Sequence, residues 1–258
     1  MNETIKLIKE RASVRKFADK QISMEDRELI IESALRAPTA GNMMLYSIVI
    51  VDDQKKKEVL SKTCDNQPFI AKAPFVMIFL ADYQRWYDYY ELSGVKEYCL
   101  KEGMEYTGPT IADLMLGCSD ALIAAQNAVL GAESLGIGSC YIGDIMENYE
   151  RHQELLDLPP WTFPIAMLVM GHYPEKRPVV KSRFDKKYIV HQNSYSRLGE
   201  KELKTMLFGF SKKFPSDNMY NAKNMGQYMY ARKTGAYFTR EMARSIRVML
   251  ENWQGEEI

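Results

Sequence analysis

Apolar positions along the chain repeat with two different periods. Pro74 to Ala81 (P-F-V-M-I-F-L-A) is a near-continuous apolar run, as expected of a central strand covered on both faces. Tyr46 to Val51 reads as a strand ended by Asp52-Asp53, and Ser139 to Ile142 and Phe163 to Met170 read as two more. Helical spacing accounts for much of the rest. Thr4 to Arg11 predicts a short helix. Ser23-Met-Glu-Asp26 is a capping sequence for a second helix that faces Leu29, Ile30, Ala34 and Leu35 inward and stops at Pro38. The lysine-rich stretch 54–63 predicts a surface helix, 83–106 a helical excursion rich in tyrosine and charge, and 147–157 a further helix. Loops are expected through most of 171–200.

The strongest pattern is Ile111 to Leu135. Ile111, Leu114, Met115, Cys118, Leu122, Ala125 and Val129 recur at steps of three and four, and Ala121, Ala124 and Ala128 keep the neighbouring faces small. A helix apolar nearly all round is buried, either centrally or against a partner subunit. A last helix, Thr239 to Trp253, sets Met242, Ile246, Met249 and Trp253 on one stripe. Strands alternate with helices, which gives a mixed α and β class with a small central sheet. No repeat or low-complexity linker interrupts the 258 residues. The expectation is one domain over 1–258, with a C-terminal helical extension from about residue 199.

Charge narrows the possible partners. Lysine plus arginine equals aspartate plus glutamate, 34 each, so no general attraction to nucleic acid or membrane is expected. Any anion site has to be a local concentration of charge. Met1 to Lys9 is polar and lacks the apolar segment of a signal peptide, and the uninterrupted apolar runs are too short to span a bilayer. Cys64, Cys99, Cys118 and Cys140 show no close pairing and read as reduced thiols. Together these features predict a cytoplasmic protein. His152, His172 and His191 are scattered without metal-ligand spacing, so no metal site is expected. Gly136-Ile-Gly138 follows a helix and reads as its stop, and neither a G-x-G-x-x-G after a strand nor a Walker loop is present.

Four loop segments carry residues that packing explains poorly: Arg11 to Arg15, Pro38 to Asn42 (P-T-A-G-N), Asn66-Gln67 and Lys181-Ser-Arg183. Tyr141-Ile-Gly143-Asp144 closes a strand. Arginine pairs suit a dianion, because each guanidinium offers a planar fork of donors and keeps its charge. Thr39, Asn42 and Gln67 carry groups that read the edge of a planar heterocycle, and Gly143 lets a ring approach the backbone. Each feature also has an ordinary reading. The arginines suit a solvated helix face, Lys181 and Arg183 an exposed loop, Gln67 the start of a strand, Thr39 a turn, and Tyr141 a core aromatic.

Taken in order, R-A-S-V-R-K-F at 11–17, A-P-T-A-G-N at 37–42, N-Q-P-F-I-A-K-A-P-F at 66–75 and A-D-Y-Q-R at 81–85 are followed by D-A-L-I-A-A-Q-N-A-V-L-G-A-E-S-L-G-I-G at 120–138. Y-I-G at 141–143, H-Y-P, K-S-R and H-Q-N-S-Y at 191–195 complete the series. In these pieces the chain resembles the nitroreductase family, and within it the NADPH-type flavin reductases and oxygen-insensitive nitroreductases. The resemblance covers residues 3 to 195 and, more loosely, the tail. It implies an α+β fold with a central, mostly antiparallel sheet flanked by helices, in an intertwined homodimer that binds FMN at the interface. It further implies that Arg11, Ser13, Lys181 and Arg183 hold the phosphate and that Arg15 lies by the ribityl chain and the N1–O2 edge. Thr39 and Gln67 would bond the pyrimidine edge, the Gly143 amide would point at N5, and Tyr141 would border the pocket. Pro38, Thr39, Ala40 and Asn42 would contribute from the partner subunit or beside it, and Asp144 would lie near N5.

The implied activity is ping-pong transfer of hydride from NADPH or NADH through flavin N5 to a nitroaromatic, quinone or flavin acceptor. No acid–base triad is then required. NADPH is favoured over NADH only as a lean, with Lys212 and Lys213 as candidates for the 2′-phosphate. The alternatives are a specialised member that reduces one unsaturated or halogenated metabolite, and a flavin-holding storage or sensor protein without turnover. Two departures bear on the choice. Met43-Met-Leu-Tyr46 replaces the Gln-Pro-Trp of many relatives, and Asp144 stands where the nearest branch has glycine. The long segment from about Trp86 to Pro109 is expected to cover the pocket.

Overall fold

A computed structural model describes residues 2–254. The chain forms two compact units, one running to Val179 and resuming at Glu241, the other Val180–Arg240. In the first unit, helix α1 (Glu3–Glu10) is capped by Asn2, whose side chain accepts from the Thr4 and Ile5 amides. Helix α2 (Met24–Leu35) is capped by the Ser23 hydroxyl, which accepts from Asp26 N at 3.0 Å, as the capping sequence predicts. Strand β1 (Tyr46–Ile50) is followed by α3 (Gln54–Thr63), the short α4 (Pro68–Ala71) and β2 (Phe75–Asp82). The tyrosine-rich excursion folds as α5 (Gln84–Leu92) and α6 (Val95–Glu102). Then come α7 (Ile111–Ser134), β3 (Ile137–Ile142), α8 (Tyr149–Leu156) and β4 (Thr162–His172).

The four strands form one sheet in the order β1-β2-β4-β3, and every neighbouring pair is antiparallel. Every residue of β2 is buried, because helices cover both faces of the sheet. On one face α2 and α7 pack Ile30, Ala34, Ala121, Ala124, Ala125, Ala128 and Val129 against Phe75, Met77 and Phe79. On the other, Leu60 of α3 and Ile70 of α4 meet Val76, Ile78, Cys140 and Val169.

Two helix faces are only partly covered within one chain. Helix α7 is not covered all round: Ile111, Met115, Leu116, Leu122 and Ile123 remain between 41% and 63% exposed, while the alanine face is fully buried. Small side chains let the helix axis approach the pleated sheet closely, so volume rather than hydrophobicity selects the inward face. Close approach also explains Gly131, where a Cβ would lie 2.5 Å from the Ser33 hydroxyl of α2. On α2 itself Ile30 and Ala34 are buried as expected, whereas Leu29 and Leu35 are 42% and 46% exposed because they flank the row that meets α7. By length and composition α7 would also suffice to cross a bilayer. Counting only uninterrupted apolar runs overlooks it, because Asp113 and Asp120 divide the stretch.

The second unit contains α9 (Glu200–Ser211) and α10 (Met225–Met229). Helix α11 (Tyr237–Gln254) begins there and carries the chain back into the first unit at Glu241. Within the first unit Met249 and Trp253 are buried, as the stripe predicts, while Met242 and Ile246 are half-buried. The Trp253 indole donates to Thr110 O at 2.9 Å, and Arg244 forks onto Glu150 at 2.7 and 2.8 Å.

Candidate functional site

Strand β3 lies at one edge of the sheet, and the segment after α1 covers it. Val14 N donates to Ser139 O at 2.9 Å and Ala18 N to His172 O at 3.0 Å. Val14 is fully buried and lies where a side chain at Gly138 would have to go. This arrangement fixes Arg11, Ser13 and Arg15 along β3. The Cys140 thiol is pushed up by burial, while Arg15, the Ser13 hydroxyl and Arg11 oppose that shift. Tyr141 is likewise pushed up to about 12 by burial, against the nearby Arg11. Arg15 sits over the Phe69 ring, 5.9 Å from its centroid.

Arg11 is the least settled of these groups. Its Nη1 is buried and has no hydrogen-bond partner among the described residues. A buried donor left unpaired is costly, and an acceptor held against Nη1 would relieve that cost. Glu133 does not fill the role. It accepts from the Tyr173 hydroxyl at 2.6 Å, and Arg177 stacks on Tyr173 at 3.9 Å.

Beyond the end of β3, Gly143 is exposed, and a Cβ there would meet nothing within 4 Å. The next residue, Asp144, accepts from Gln67 Nε2 at 2.9 Å, and the same amide donates to Cys64 O at 3.0 Å. Both Gln67 contacts use its amide nitrogen, which leaves the side-chain carbonyl free of those contacts. Glu147 follows in the same turn and is only 4% exposed. Burial, together with the neighbouring Asp144, pushes Glu147 up to about 8. The structure therefore brings Arg11, Ser13, Arg15, Gln67, Tyr141, Gly143 and Asp144 together around one end of β3.

The Pro38–Asn42 segment lies elsewhere. It leads into β1, at the opposite edge of the four-stranded sheet. Thr39 Oγ1 accepts from Met44 N at 3.1 Å, and Asn42 adopts a left-handed φ of 57°. The organiser of this loop is Asp120, a buried carboxylate on α7. It accepts from Ala40 N at 3.0 and 3.3 Å and from Leu45 N at 3.2 Å. Sequence reasoning passed over Asp120, although a lone acid in an alanine-rich helical stretch was a visible signal. It also passed over Phe69, Cys140 and Glu147, whose importance comes from neighbours distant in sequence. The Met43–Leu45 departure has a packing role: Leu45 is buried, and the Met43 and Met44 carbonyls accept from Trp86 Nε1 at 2.8 Å and Arg85 Nη2 at 2.7 Å. Helix α5 is thus pinned to the entry of β1.

In the second unit Lys181 and Arg183 are exposed, and Arg183 Nη1 donates to Lys181 O at 3.3 Å. Arg183 also lines a cavity of about 560 Å³ with Phe184, Lys187, Phe210 and Lys213. Lys212 instead lies over the Phe208 ring, 4.4 Å from its centroid.

The chain matches known proteins over most of its length. It is 30% identical over 251 residues to the NAD(P)H-type FMN reductase of Bacillus subtilis, which covers 97% of each protein. It is 32% identical over 203 residues to the oxygen-insensitive NADPH nitroreductase of Salmonella typhimurium, covering 79% of each. The NADPH:FMN oxidoreductase from Vibrio harveyi, solved with NAD+, superposes with a TM-score of 0.78 at 26% identity, covering 96% of this chain and 98% of that one. The Nitroreductase family model matches residues 8–172. With the antiparallel sheet, the basic segment along β3 and the open backbone at Gly143, this match establishes that the chain belongs to the nitroreductase family.

Proposed function

We propose that the protein is an FMN-dependent oxidoreductase that passes hydride from NAD(P)H to a small aromatic, quinone or flavin acceptor in alternating half-reactions. The observation that carries this reading is the buried, unpaired Nη1 of Arg11, on a residue that lies near Tyr141 of the strand leading to the open backbone of Gly143. A phosphate oxygen supplies the acceptor that the guanidinium lacks, and a planar ring fits where no Cβ intrudes. The likeness to NAD(P)H-dependent FMN reductases over nearly the full chain supports the same assignment.

When bound, FMN supplies the hydride-accepting and hydride-donating atom. The chain binds and orients. Arg11 and Ser13 hold the phosphate, while Arg15 brings positive charge to the flank of the ligand and favours a reduced, anionic ring. The Gly143 amide would serve the reactive edge, Gln67 would offer its carbonyl to the pyrimidine side, and Tyr141 would close the pocket wall. The test is direct. Purified protein is expected to take up FMN and, once loaded and mixed anaerobically with NADPH or NADH, to bleach rapidly. A loaded protein that stays yellow with both donors would assign it to flavin storage instead.

The site is completed by a second copy of the chain. In one protomer Thr39, Ala40 and Asn42 lie at the β1 edge, and Arg11 and Gly143 lie at the β3 edge. The bulky outer face of α7, with Met115, Leu116, Leu122 and Ile123 exposed, supplies apolar surface for pairing. Light scattering is expected to give a dimer, and Leu122→Glu with Ile123→Lys is expected to yield monomers that lose FMN. A monomeric species with full FMN occupancy would contradict this assembly.

A further inference from the structure

The turn after β3 carries two carboxyl groups where one would serve. Asp144 is engaged by Gln67, yet Glu147 is buried beside it with Oε1 lacking any hydrogen-bond partner among the described residues. Among the described residues neither carboxyl forms an ion pair. The charged groups around Glu147 are Asp144 from its own turn, Asp65 from the loop after α3 and Glu241 from α11. The Cys64 thiol from the end of α3 also faces it. Glu241 is already satisfied by Arg244 at 2.7 Å and by Ser245 at 3.0 Å. Asp65 is exposed and Glu147 is not. A second negative charge at Glu147 would therefore be buried among like charges, which is unfavourable.

We propose that Glu147 is a positioning residue: as a neutral acid it donates a hydrogen bond to Asp144, and Asp144 in turn holds the Gln67 amide that faces the flavin. The inference rests on the FMN reading of the site. Its chemistry is a single proton held between two carboxyl groups, with no bond made or broken elsewhere. Loss of that proton places two carboxylates side by side, drives Asp144 away and frees Gln67. Burial together with Asp144 pushes Glu147 up to about 8, so the arrangement is intact below that pH and lost as pH rises through it.

Two measurements test this. In the FMN-free protein, infrared difference spectra between about pH 7 and about pH 9 are expected to show a protonated-carboxyl C=O stretch at the lower pH, absent from Glu147→Gln. The wild-type spectrum alone decides the point if the variant fails to fold: no protonated carboxyl near neutrality overturns the proposal. In fluorescence titrations, FMN affinity is expected to fall about tenfold over the same range, above the phosphate's second ionisation at about 6. Glu147→Gln, a permanent donor, is expected to flatten that dependence, whereas Glu147→Ala binds weakly at both ends. Parallel pH profiles for wild type and Glu147→Gln also overturn it. Failure to bind FMN at any pH would remove the flavin reading, and the infrared result would still decide the carboxyl pair.

Discussion

Asp120→Ala is expected to destabilise the protein by about 2–4 kcal/mol, because hydrogen bonds to a charged group are each worth about 1.5–3 kcal/mol and the partners stay buried. The Asp120 carboxylate takes the amides of Ala40 and Leu45, and no other described residue stands ready to accept them. Part of the loss is offset by relief from burying a charge, which sets the upper bound. The effect should reach beyond stability. With its anchor gone, the turn over Ala40–Asn42, which holds Gly41 and Asn42 at positive φ, loses its reason to close. Urea unfolding is expected to show a lower midpoint with an unchanged slope. Asp120→Asn, which keeps one acceptor oxygen, should lose about half as much. Equal midpoints for Asp120→Ala and wild type would remove Asp120 from this role.

Arg11→Ala is expected to weaken FMN binding by about 1.5–3 kcal/mol, roughly ten- to a hundredfold in Kd, the scale of one charge-assisted hydrogen bond. Its effect on the FMN-free protein should differ in kind. Nη1 of Arg11 is buried and unpaired, so deleting the guanidinium removes a desolvated donor as well as a charge. Glu133, which burial raises and Arg11 opposes, retains Tyr173 and Arg177. Stability without ligand should therefore change by no more than about 1 kcal/mol, and the thermal shift produced by adding FMN should shrink. Arg11→Lys keeps the charge but not the fork and should fall between the two. A variant that lost stability and kept its FMN affinity would make Arg11 a structural residue.

Much of the architecture was legible before any coordinates. The unbroken apolar run at 74–81 became a strand buried along its length, Ser23 became a cap, and the Met249 and Trp253 stripe turned inward. Less legible was the inward face of α7. Leucine, methionine and alanine register alike as apolar, but only the alanines allow close seating on a sheet. Helix α9 buries no residue at all, so it carries no inward stripe to detect. Within the candidate site, residues joined by sequence proximity were easier to find than those joined by folding. Arg11 and Arg15 stand in one motif, whereas Gln67, Asp144 and Glu147 meet only once α4 has packed against the end of β3. Asp144 looked like an isolated departure from a glycine. In the fold it accepts from Gln67 Nε2 in the same turn as the buried Glu147.

The hydrogen bond from Val14 to Ser139 gives the N-terminal segment a second duty. An uncovered strand margin recruits other chains, and here the stretch that presents the guanidinium groups is also the guard of that margin. Peeling it away to liberate a tightly held anion would bare a template for self-association. Ligand exchange is therefore expected to follow routes that leave residues 12–18 seated, and any lesion that loosens them should announce itself as precipitation before it registers as a change in turnover.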